Sequence, residues 1–350
     1  MNPADLFLDA VDQAKARHPQ LRLWLASARA NSKAAQHLRI EEWDRGAAIA
    51  HPGTEEHTLR FLVRGQAVVG ARDDEGRTTP VRTLDSPCTF GGAGFALGRS
   101  RTAGLVALTP ATTLALSRKD FRALGQSNPT LAVALLRWVA LDMIGWLRES
   151  RAGKDSLGLQ RSAENPERNF QATASAREPV PPDSEAWDLG VGTMEWLRCF
   201  QGATPAPLVE ALGASCHLLS VPQGGHILAH GETDHALYVL LDGEASVYGA
   251  SGRVLARFVA GGASHEVLMG EVGFLDQSPR DGTVTADLDC LVLQLPARGV
   301  GWVLAHHPDL AVRIHLALVR TFCWRLIEAD AERQRLLATL DLDLDAWSNG

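Results

Sequence analysis

The sequence lacks an excess of basic residues. Its 34 lysines and arginines are outnumbered by 41 aspartates and glutamates, which gives a formal net charge of −7 at pH 7. Binding to the phosphates of DNA or RNA depends on concentrated positive charge, and no segment of this chain is basic enough to contradict the total. We therefore expect no nucleic-acid partner.

Long uninterrupted apolar runs are also missing. The most membrane-like stretch, "LAVALLRWVALDMIGWL" at 131–147, is interrupted by Arg137 and Asp142 and is shorter than the ~20 apolar residues that a membrane span needs. The N-terminus, "MNPADLFLDAVDQAKARHPQL", lacks the apolar core and cleavage site of a signal peptide. These features predict a cytoplasmic protein that does not insert into a membrane, with residues 131–147 in an amphipathic helix.

Cysteines are few, and their pattern excludes the usual cysteine chemistry. The five residues are odd in number and widely spaced, without a Cys-x-x-Cys pair or histidines at ligand spacing. Neither a disulfide framework nor a zinc site is indicated, so we expect reduced and mostly buried thiols. The residues are Cys88, Cys199, Cys216, Cys290 and Cys323.

Catalytic and metal-binding motifs are absent as well. The chain contains no Gly-x-Ser-x-Gly, no His-Glu-x-x-His and no Walker-type loop. His306 and His307 directly precede a proline that opens a helix, and they are interpreted as loop or cap residues. The run "DLDLD" at 341–345 lacks the glycine and distal glutamate of a calcium loop. We therefore predict no enzyme activity, no catalytic or metal-ligating residue, and an acidic tail at 341–350.

What the chain does contain is a duplication. "HTLRFLVRGQAVV" from His57 matches "HALYVLLDGEASV" from His235 at a shift of 178 residues. Agreement over some eighty residues predicts two copies of one domain, at 1–150 and 186–340, joined by a polar and flexible linker at 151–185. Further matches at a shift of 179 pair Gly91 with Gly270, Arg101 with Arg280, Leu116 with Leu295 and Pro129 with Pro308.

Each copy reads as short strands followed by a long helix. Stretches such as "DCLVLQL" run apolar for five to eight residues between glycine turns, as in sandwiches and barrels, whereas the sequence from Pro308 has the composition of a helix. The predicted fold is mainly β with helices (α+β), two barrels each followed by a long helix. The helix face packs on its own barrel, on the counterpart helix at 129–150, or on a second chain in a homodimer. Its apolar residues are Leu310, Val312, Ile314, Leu316, Leu318, Val319 and Phe322.

The loop "MGEVGFLDQSPRDGTV" at 269–284 carries the most distinctive chemistry. Glycines allow backbone amides to approach an anion closely, and the planar fork of Arg280 suits phosphate oxygens. Glu271 would repel a phosphate unless it accepts a hydrogen bond from Arg280 or from a ligand hydroxyl. The loop therefore predicts a phosphorylated ligand with a ribose, or else an ordinary ion pair over a glycine turn.

The same loop resembles the phosphate-binding cassette of cyclic-nucleotide-binding domains, as found in catabolite activator proteins, protein kinase A regulatory subunits and nucleotide-gated channels. The resemblance covers about residues 195–335 and implies that Glu271 accepts the ribose 2′-hydroxyl and that Arg280 neutralises the cyclic phosphate. It also implies that the amides of Gly273 and Phe274 complete the phosphate cradle and that a Thr-Val pair lines the base. The residues predicted to bind ligand are Gly270, Glu271, Gly273, Phe274, Arg280, Asp281, Gly282, Thr283 and Val284.

The cassette departs from this pattern in both copies. In the second copy, Asp281 follows the arginine where the family usually has a small or hydroxyl residue, and it would weaken anion binding unless it points outward. The first copy has Gly92 where the second has Glu271, so its ribose anchor is missing. We expect this copy to serve packing and interfaces; the alternative is a vestigial anion pocket around Arg99 and Arg101.

The resemblance implies a non-catalytic receptor for cAMP or cGMP, in which the second domain binds the ligand and the long helices relay binding to a protein partner. The alternative is a ligand-independent scaffold that keeps two vestigial folds for their surfaces. Transcription-factor relatives carry a winged helix-turn-helix after the long helix, whereas the given sequence ends with "DLDLDAWSNG". We therefore expect no direct binding to DNA.

Overall fold

The computed structural model describes most of the chain, and its residues divide into two compact units. Unit 1 comprises residues 1–160 and 322–350, and unit 2 comprises residues 161–321. The described residues are 3–22, 37–72, 78–101, 103–156, 177–182, 184–194, 216–249, 254–261 and 268–348.

Unit 1 contains two antiparallel four-stranded sheets, with strand orders β1-β8-β3-β6 and β2-β7-β4-β5. Strand β3 is buried at every residue except the last, and its one buried charged residue is Arg60; the strand lies inside its sheet between two neighbours. The strands are β1 (Arg39–Trp43), β2 (Ala48–Ala50), β3 (Leu59–Arg64), β4 (Gln66–Arg72), β5 (Thr78–Asp85), β6 (Cys88–Phe90), β7 (Gly104–Ala107) and β8 (Ala111–Leu116).

Two of the four α-helices described within residues 1–160 begin where the local sequence favours a helix start. The side chain of Ser117 accepts a hydrogen bond from the amide of Asp120 at 3.1 Å and so caps α3. Helix α4 begins at a proline, whose fixed φ suits the first turn. The helices are α1 (Pro3–Arg17), α2 (Gly92–Leu97), α3 (Arg118–Ser127) and α4 (Pro129–Ser156).

Helix α4 is the core helix of unit 1. Its segment Pro129–Ser150 is long and apolar enough to cross a bilayer, and its 18-residue window of mean hydropathy 1.6 is 89% buried inside the described structure. The carboxylate of Asp142 accepts hydrogen bonds from the Thr89 amide at 2.7 Å and from the Thr89 hydroxyl at 2.9 Å, and His18 Nε2 lies 2.9 Å away. The charge that interrupts the apolar run therefore anchors β6 to this helix.

Unit 2 repeats the architecture with a five-stranded sheet, β15-β12-β17-β10-β9, and a four-stranded sheet, β11-β16-β13-β14. Its core lies between them and includes Tyr238, Phe258 and Val292. The strands are β9 (Glu178–Pro179), β10 (His217–Val221), β11 (His226–Leu228), β12 (Leu237–Asp242), β13 (Glu244–Gly249), β14 (Val254–Val259), β15 (Leu268–Met269), β16 (Gly282–Ala286) and β17 (Cys290–Leu295).

The remaining helices follow the order seen in unit 1. A short helix follows β15, and two longer helices follow the last strand. Helix α8 begins in unit 2, and its residues from Phe322 onward group with unit 1. The helices are α5 (Glu185–Met194), α6 (Glu271–Asp276), α7 (Ala297–His306) and α8 (Pro308–Ser348).

The two copies agree in backbone detail. Gly65 and Gly243 both have a positive φ, of 88° and 92°. A Cβ atom at either position would lie 2.4 Å from a carbonyl oxygen, that of Pro110 in one copy and of Asp289 in the other. Both units thus require glycine at the same place for the same reason. The predicted fold, two sheet domains each followed by helices, is confirmed.

Three features at the predicted boundaries differ from expectation. Helix α4 runs into the expected linker as far as Ser156, and Pro179 pairs with Leu219 in the β9–β10 ladder; residues 157–176 lie outside the described part. The run at 341–345 belongs to helix α8 instead of forming a separate tail. No glycine or proline lies between Pro308 and Ser348, so nothing in this stretch breaks the helix.

The cysteines fit the prediction of buried thiols where the structure describes them. Cys88, Cys216, Cys290 and Cys323 are free and buried, whereas Cys199 lies outside the described residues. Burial raises the pKa of Cys88 well above its ordinary value and raises the pKa of Cys290 to about 11. These thiols are therefore poor nucleophiles at neutral pH.

Candidate ligand-binding site

The predicted cassette begins with a tight left-handed turn at a glycine. Strand β15 ends at Met269, and Gly270 then turns with φ +74° into helix α6. A Cβ atom on Gly270 would lie 2.6 Å from Nη1 of Arg280. Glycine is thus needed both for the left-handed conformation and for the close approach of the arginine.

Arg280 is held deep inside this turn. Its side chain is 2% exposed, and its Nη1 and Nη2 atoms donate to the carbonyl oxygens of Gly270 and Ala236, each at 2.5 Å. Two further hydrogen bonds, from Nε at 3.1 Å and Nη2 at 2.5 Å, reach one carboxylate oxygen of Asp234. Together these contacts use four of the five N–H donors of the guanidinium.

Asp234 is the counter-charge of Arg280 in this structure. Its other carboxylate oxygen accepts a hydrogen bond from the Tyr238 hydroxyl at 2.5 Å. Burial tends to raise the pKa of Asp234, but the Tyr238 hydrogen bond and the charge of Arg280 outweigh it, and the pKa is lowered overall. Asp234 is therefore a stable anion that occupies part of the arginine's binding capacity.

A second arginine extends the cluster. Arg177 donates from Nη1 to the Tyr238 hydroxyl at 2.7 Å and from Nη2 to Glu232 at 3.0 Å. The loop that carries Glu232 is also tied to the cassette through the backbone, since the Arg280 amide donates to the Glu232 carbonyl at 2.9 Å. Burial and the bond to Asp234 raise the pKa of Tyr238, so the phenol stays protonated and donates.

The predicted ribose acceptor lies at the same turn. Glu271 is the first residue of α6 and is only 4% exposed. It directly follows Gly270, whose carbonyl oxygen accepts from Arg280. The structure thus places buried Glu271 next in the chain to the residue whose carbonyl the Arg280 guanidinium contacts.

The two amides predicted to hold the phosphate are those of Gly273 and Phe274. The amide of Phe274 donates to the Gly270 carbonyl at 3.1 Å, as expected inside a helical turn, so it is already engaged within the chain. Gly273 lies close to the arginine, because a Cβ atom there would be 3.1 Å from Nη1 of Arg280. Of Gly273 and Phe274, Gly273 is the residue whose backbone lies next to the Arg280 guanidinium.

The four residues after Arg280 face different surroundings. Asp281 is exposed, which removes its charge from the buried turn, and Gly282 packs so tightly that a Cβ atom would lie 2.7 Å from the Tyr248 carbonyl oxygen. The Thr283 hydroxyl accepts from the His230 amide at 3.1 Å, and Val284 belongs to the apolar core of unit 2.

The first copy keeps the arginine frame without the ribose anchor. Arg101 donates from Nη2 to the Thr58 carbonyl at 2.8 Å and lies 3.4 Å from the Glu56 carboxylate, as Arg280 does with Ala236 and Asp234. Gly91 repeats the positive φ, at 84°. At the glutamate position, a Cβ atom on Gly92 would lie 2.4 Å from the Met143 methyl, so Met143 fills that space.

Arg99 does not join Arg101 in one pocket. Its side chain is exposed, and its guanidinium lies over the Trp324 ring at 4.1 Å. Of the two arginines predicted to form a vestigial anion pocket, Arg99 therefore lies at the surface and Arg101 in the interior.

Sequence reasoning missed the two acids that hold the arginines. Glu56 and Asp234 each directly precede the histidine that begins the repeated stretch, and they match at the shift of 178 residues. Extending the comparison of the two copies by one residue would have identified them as a conserved feature of the duplication.

Known proteins and one protein family resemble this chain in sequence. A family model described as the cyclic nucleotide-binding domain matches residues 40–128 and 218–307. The cAMP-activated global transcriptional regulator CRP of Pasteurella multocida is 31% identical over 100 residues, which are 28% of this chain and 48% of that protein. Glutaminase 1 of Bradyrhizobium diazoefficiens is 31% identical over 139 residues, 40% of this chain and 22% of that protein.

A solved structure of the regulatory domain of Toxoplasma gondii PKA with cAMP is 14% identical, covering 85% of this chain and 95% of that chain with a TM-score of 0.28. The chain spans about half the length of the CRP proteins that it matches. The two matches of the family model cover just over half of the chain, one in each unit. The chain belongs to the cyclic nucleotide-binding domain family and carries two such regulatory domains in tandem.

Proposed function

We propose that this chain is a non-catalytic receptor whose second domain binds cAMP or cGMP. The observation that carries the proposal is the burial of Glu271 and Arg280 at one glycine turn, 4% exposed in each case. A surface ion pair over an ordinary turn would be solvated on most sides. Burial of both charged residues at the cassette instead favours a site for a ligand with a phosphate and a vicinal hydroxyl.

Phosphate binding at Arg280 requires an exchange of partners. Four of its five N–H donors are used within the chain, so a cyclic phosphate takes the remaining Nη1 donor or replaces Asp234. The Asp234 side chain is 30% exposed and has room to move toward solvent. We infer that Asp234 keeps the Arg280 side chain in position in the free chain and that the phosphate of the ligand displaces the Asp234 carboxylate.

Helix α6 offers a direct route from the cassette to an output. The ring of Phe274 lies 6.4 Å from the ring of His315 on helix α8, measured between centroids. His315 is itself buried, with its Nδ1 atom 2.7 Å from the Ala311 carbonyl oxygen. A ligand that moves α6 thus repositions α8, whose surface we propose to be read by a protein partner in the cytoplasm or by a second copy of the chain.

One observation favours a second function. Because Arg280 is so fully satisfied inside the chain, the fold is complete without a ligand. The alternative is therefore a ligand-independent scaffold in which both domains are kept for their surfaces.

Calorimetry on the full chain separates the two functions. We expect cAMP or cGMP to bind, and Arg280→Ala to weaken binding by about ten- to a hundredfold, since a charge-assisted hydrogen bond contributes about 1.5–3 kcal/mol. The control is Arg257→Ala, which removes an exposed arginine of unit 2 and should leave affinity unchanged. Absence of binding by both nucleotides at millimolar concentration supports the scaffold.

A further inference from the structure

Unit 1 contains a cavity that the nucleotide site of unit 2 does not explain. Its volume is about 270 Å³, and its walls come from the first β domain, helix α4 and residues 323–331 of helix α8. Most of the lining is apolar. The residues that define its shape are Val69, Leu84, Met143, Trp146, Leu326 and Ile327.

One buried cation, Arg101, faces this apolar space and lacks a complete set of partners. Its side chain is 6% exposed and lines the cavity, and its buried Nε atom has no hydrogen-bond partner among the described residues. In Arg280 the same atom donates to Asp234 at 3.1 Å. A buried N–H of a charged group that has no acceptor costs folding free energy. The Nε–H of Arg101 is therefore a donor to which a bound anion could add the missing acceptor.

The charges around Arg101 do not supply that acceptor. Glu56 lies 3.4 Å from Nη2 but is shared with Arg60, which forms a second ion pair with it. Burial lowers the pKa of Arg101 further than the nearby Glu56 raises it. The chain itself thus supplies Arg101 with only a shared carboxylate as its counter-charge.

Other polar groups of the cavity wall are already paired. Arg82 forms an ion pair with Asp330 at 3.0 Å, and its guanidinium lies 5.2 Å from the centre of the Trp146 ring. At the position of the ribose-binding glutamate, Gly92 and the Met143 methyl present an apolar wall. These surroundings provide one N–H donor for an anionic group and a largely apolar surface for the rest of a ligand, with no carboxylate at the sugar position.

We propose that this cavity binds a small amphipathic monoanion without a sugar, an aromatic carboxylate of about two fused rings, whose carboxylate accepts from Nε of Arg101. Its volume exceeds the roughly 150 Å³ of an engineered cavity that holds benzene. The ring system packs against Trp146, Leu326 and Ile327. This site is separate from the nucleotide site and does not depend on it.

The test uses the full chain carrying Arg280→Ala, so that nucleotide binding at unit 2 is weakened. Calorimetry is performed with 2-naphthoate, indole-3-acetate and the neutral isostere 2-naphthamide. We expect at least one of the two carboxylates to bind, and for 2-naphthamide a loss of about ten- to a hundredfold relative to 2-naphthoate, because the charge-assisted hydrogen bond is weakened. Equal affinity for 2-naphthoate and 2-naphthamide overturns the proposal. So does the absence of binding by both carboxylates at concentrations up to about 5 mM.

Two variants separate the site from a folding defect. Arg101→Gln should abolish the preference for the anion. Because a change at a buried arginine can also disturb folding, Leu326→Trp provides an independent check: it fills the cavity from helix α8, leaves Arg101 in place and should abolish binding of both ligands. Unchanged carboxylate binding in Leu326→Trp overturns the proposal.

Competition with cAMP distinguishes this site from a second nucleotide site. In the Arg280→Ala chain, cAMP should not displace the bound carboxylate, and displacement would show that unit 1 binds nucleotide instead. Failure of the proposed nucleotide function leaves the carboxylate titration unaffected, since that titration does not use Arg280. The two proposals can thus fail separately.

Discussion

The Nε and Nη2 atoms of Arg280 lie 3.1 and 2.5 Å from the same carboxylate oxygen of Asp234. This side-on contact gives the buried guanidinium a counter-charge within the chain. A bound phosphate would supply the same negative charge from outside. Arg280 can therefore be stabilised by either anion, and the two compete for its donors.

Replacing Asp234 should make stability depend more strongly on the ligand. In Asp234→Asn we expect the free chain to lose about 1.5–3 kcal/mol of unfolding free energy, because a charged hydrogen-bond acceptor of Arg280 is removed. Saturating cAMP should recover most of the loss, since the phosphate replaces the missing charge. Thermal unfolding with and without cAMP measures this, and an equal ligand-induced shift of Tm in both chains would contradict it.

The stability of the chain should fall in acid. Burial opposes ionisation of Asp234, Glu41 and Glu56, but hydrogen bonds and nearby arginines outweigh it and lower all three pKa values. A lowered pKa in the folded state means that the unfolded chain binds more protons, so the contribution is present above about pH 4 and is lost as the pH falls through the folded value.

Urea unfolding between about pH 6 and pH 3 checks this pH dependence, because the carboxyl groups of the unfolded chain have pKa values of about 4. The unfolding free energy should decrease below about pH 4.5, and the decrease should be smaller in Asp234→Asn, which has lost one of the titrating groups. A pH dependence of the same size in both chains would exclude Asp234 as a contributor.

Replacing Gly270 should be unfavourable for two separable reasons. Gly270→Ala introduces a side chain at φ +74° and 2.6 Å from Arg280, whereas Gly224→Ala meets a similar φ, +81°, with nothing within 4 Å. Both should cost about 1–2 kcal/mol for the left-handed conformation. Only Gly270→Ala should also weaken cAMP binding, because it displaces the guanidinium. Equal affinity in the two variants would exclude that displacement.

Asp281 should have little influence on the ligand. Its side chain is exposed, and the field of an exposed charge is screened by water and salt. Asp281→Asn is therefore expected to change cAMP affinity by less than about threefold, roughly 0.6 kcal/mol. Calorimetry at low and moderate salt checks this, and a tenfold gain in affinity would show that the aspartate faces the phosphate.

The parts of the site set by local sequence could be predicted from the sequence. Gly270, Glu271 and Arg280 lie within one short loop, and their spacing determines their proximity. The contact with Asp234 joins residues 46 apart and arises from the pairing of β12 with β15, which no local pattern reports. The Phe274 amide, which was expected to face a phosphate, instead donates to the Gly270 carbonyl four residues earlier, a local contact that follows from the helical turn at this position.

The cavity of unit 1 could not have been found from the sequence at all. Its wall depends on contacts such as the ion pair between Arg82 and Asp330, which are 248 residues apart. Comparison of the two copies aligns Arg101 with Arg280. This alignment could not show that helix α8 covers an apolar space beside Arg101, because the cavity depends on how that helix packs in the folded chain.

The most direct test of the nucleotide site pairs a change in the protein with a change in the ligand. The affinities of cAMP and 2′-deoxy-cAMP are measured by calorimetry for the wild-type chain and for Glu271→Gln. If Glu271 accepts the ribose 2′-hydroxyl, the deoxy analogue binds the wild type about ten- to a hundredfold more weakly, and the difference nearly disappears in Glu271→Gln. An equal loss in both chains, or none in either, would contradict the account.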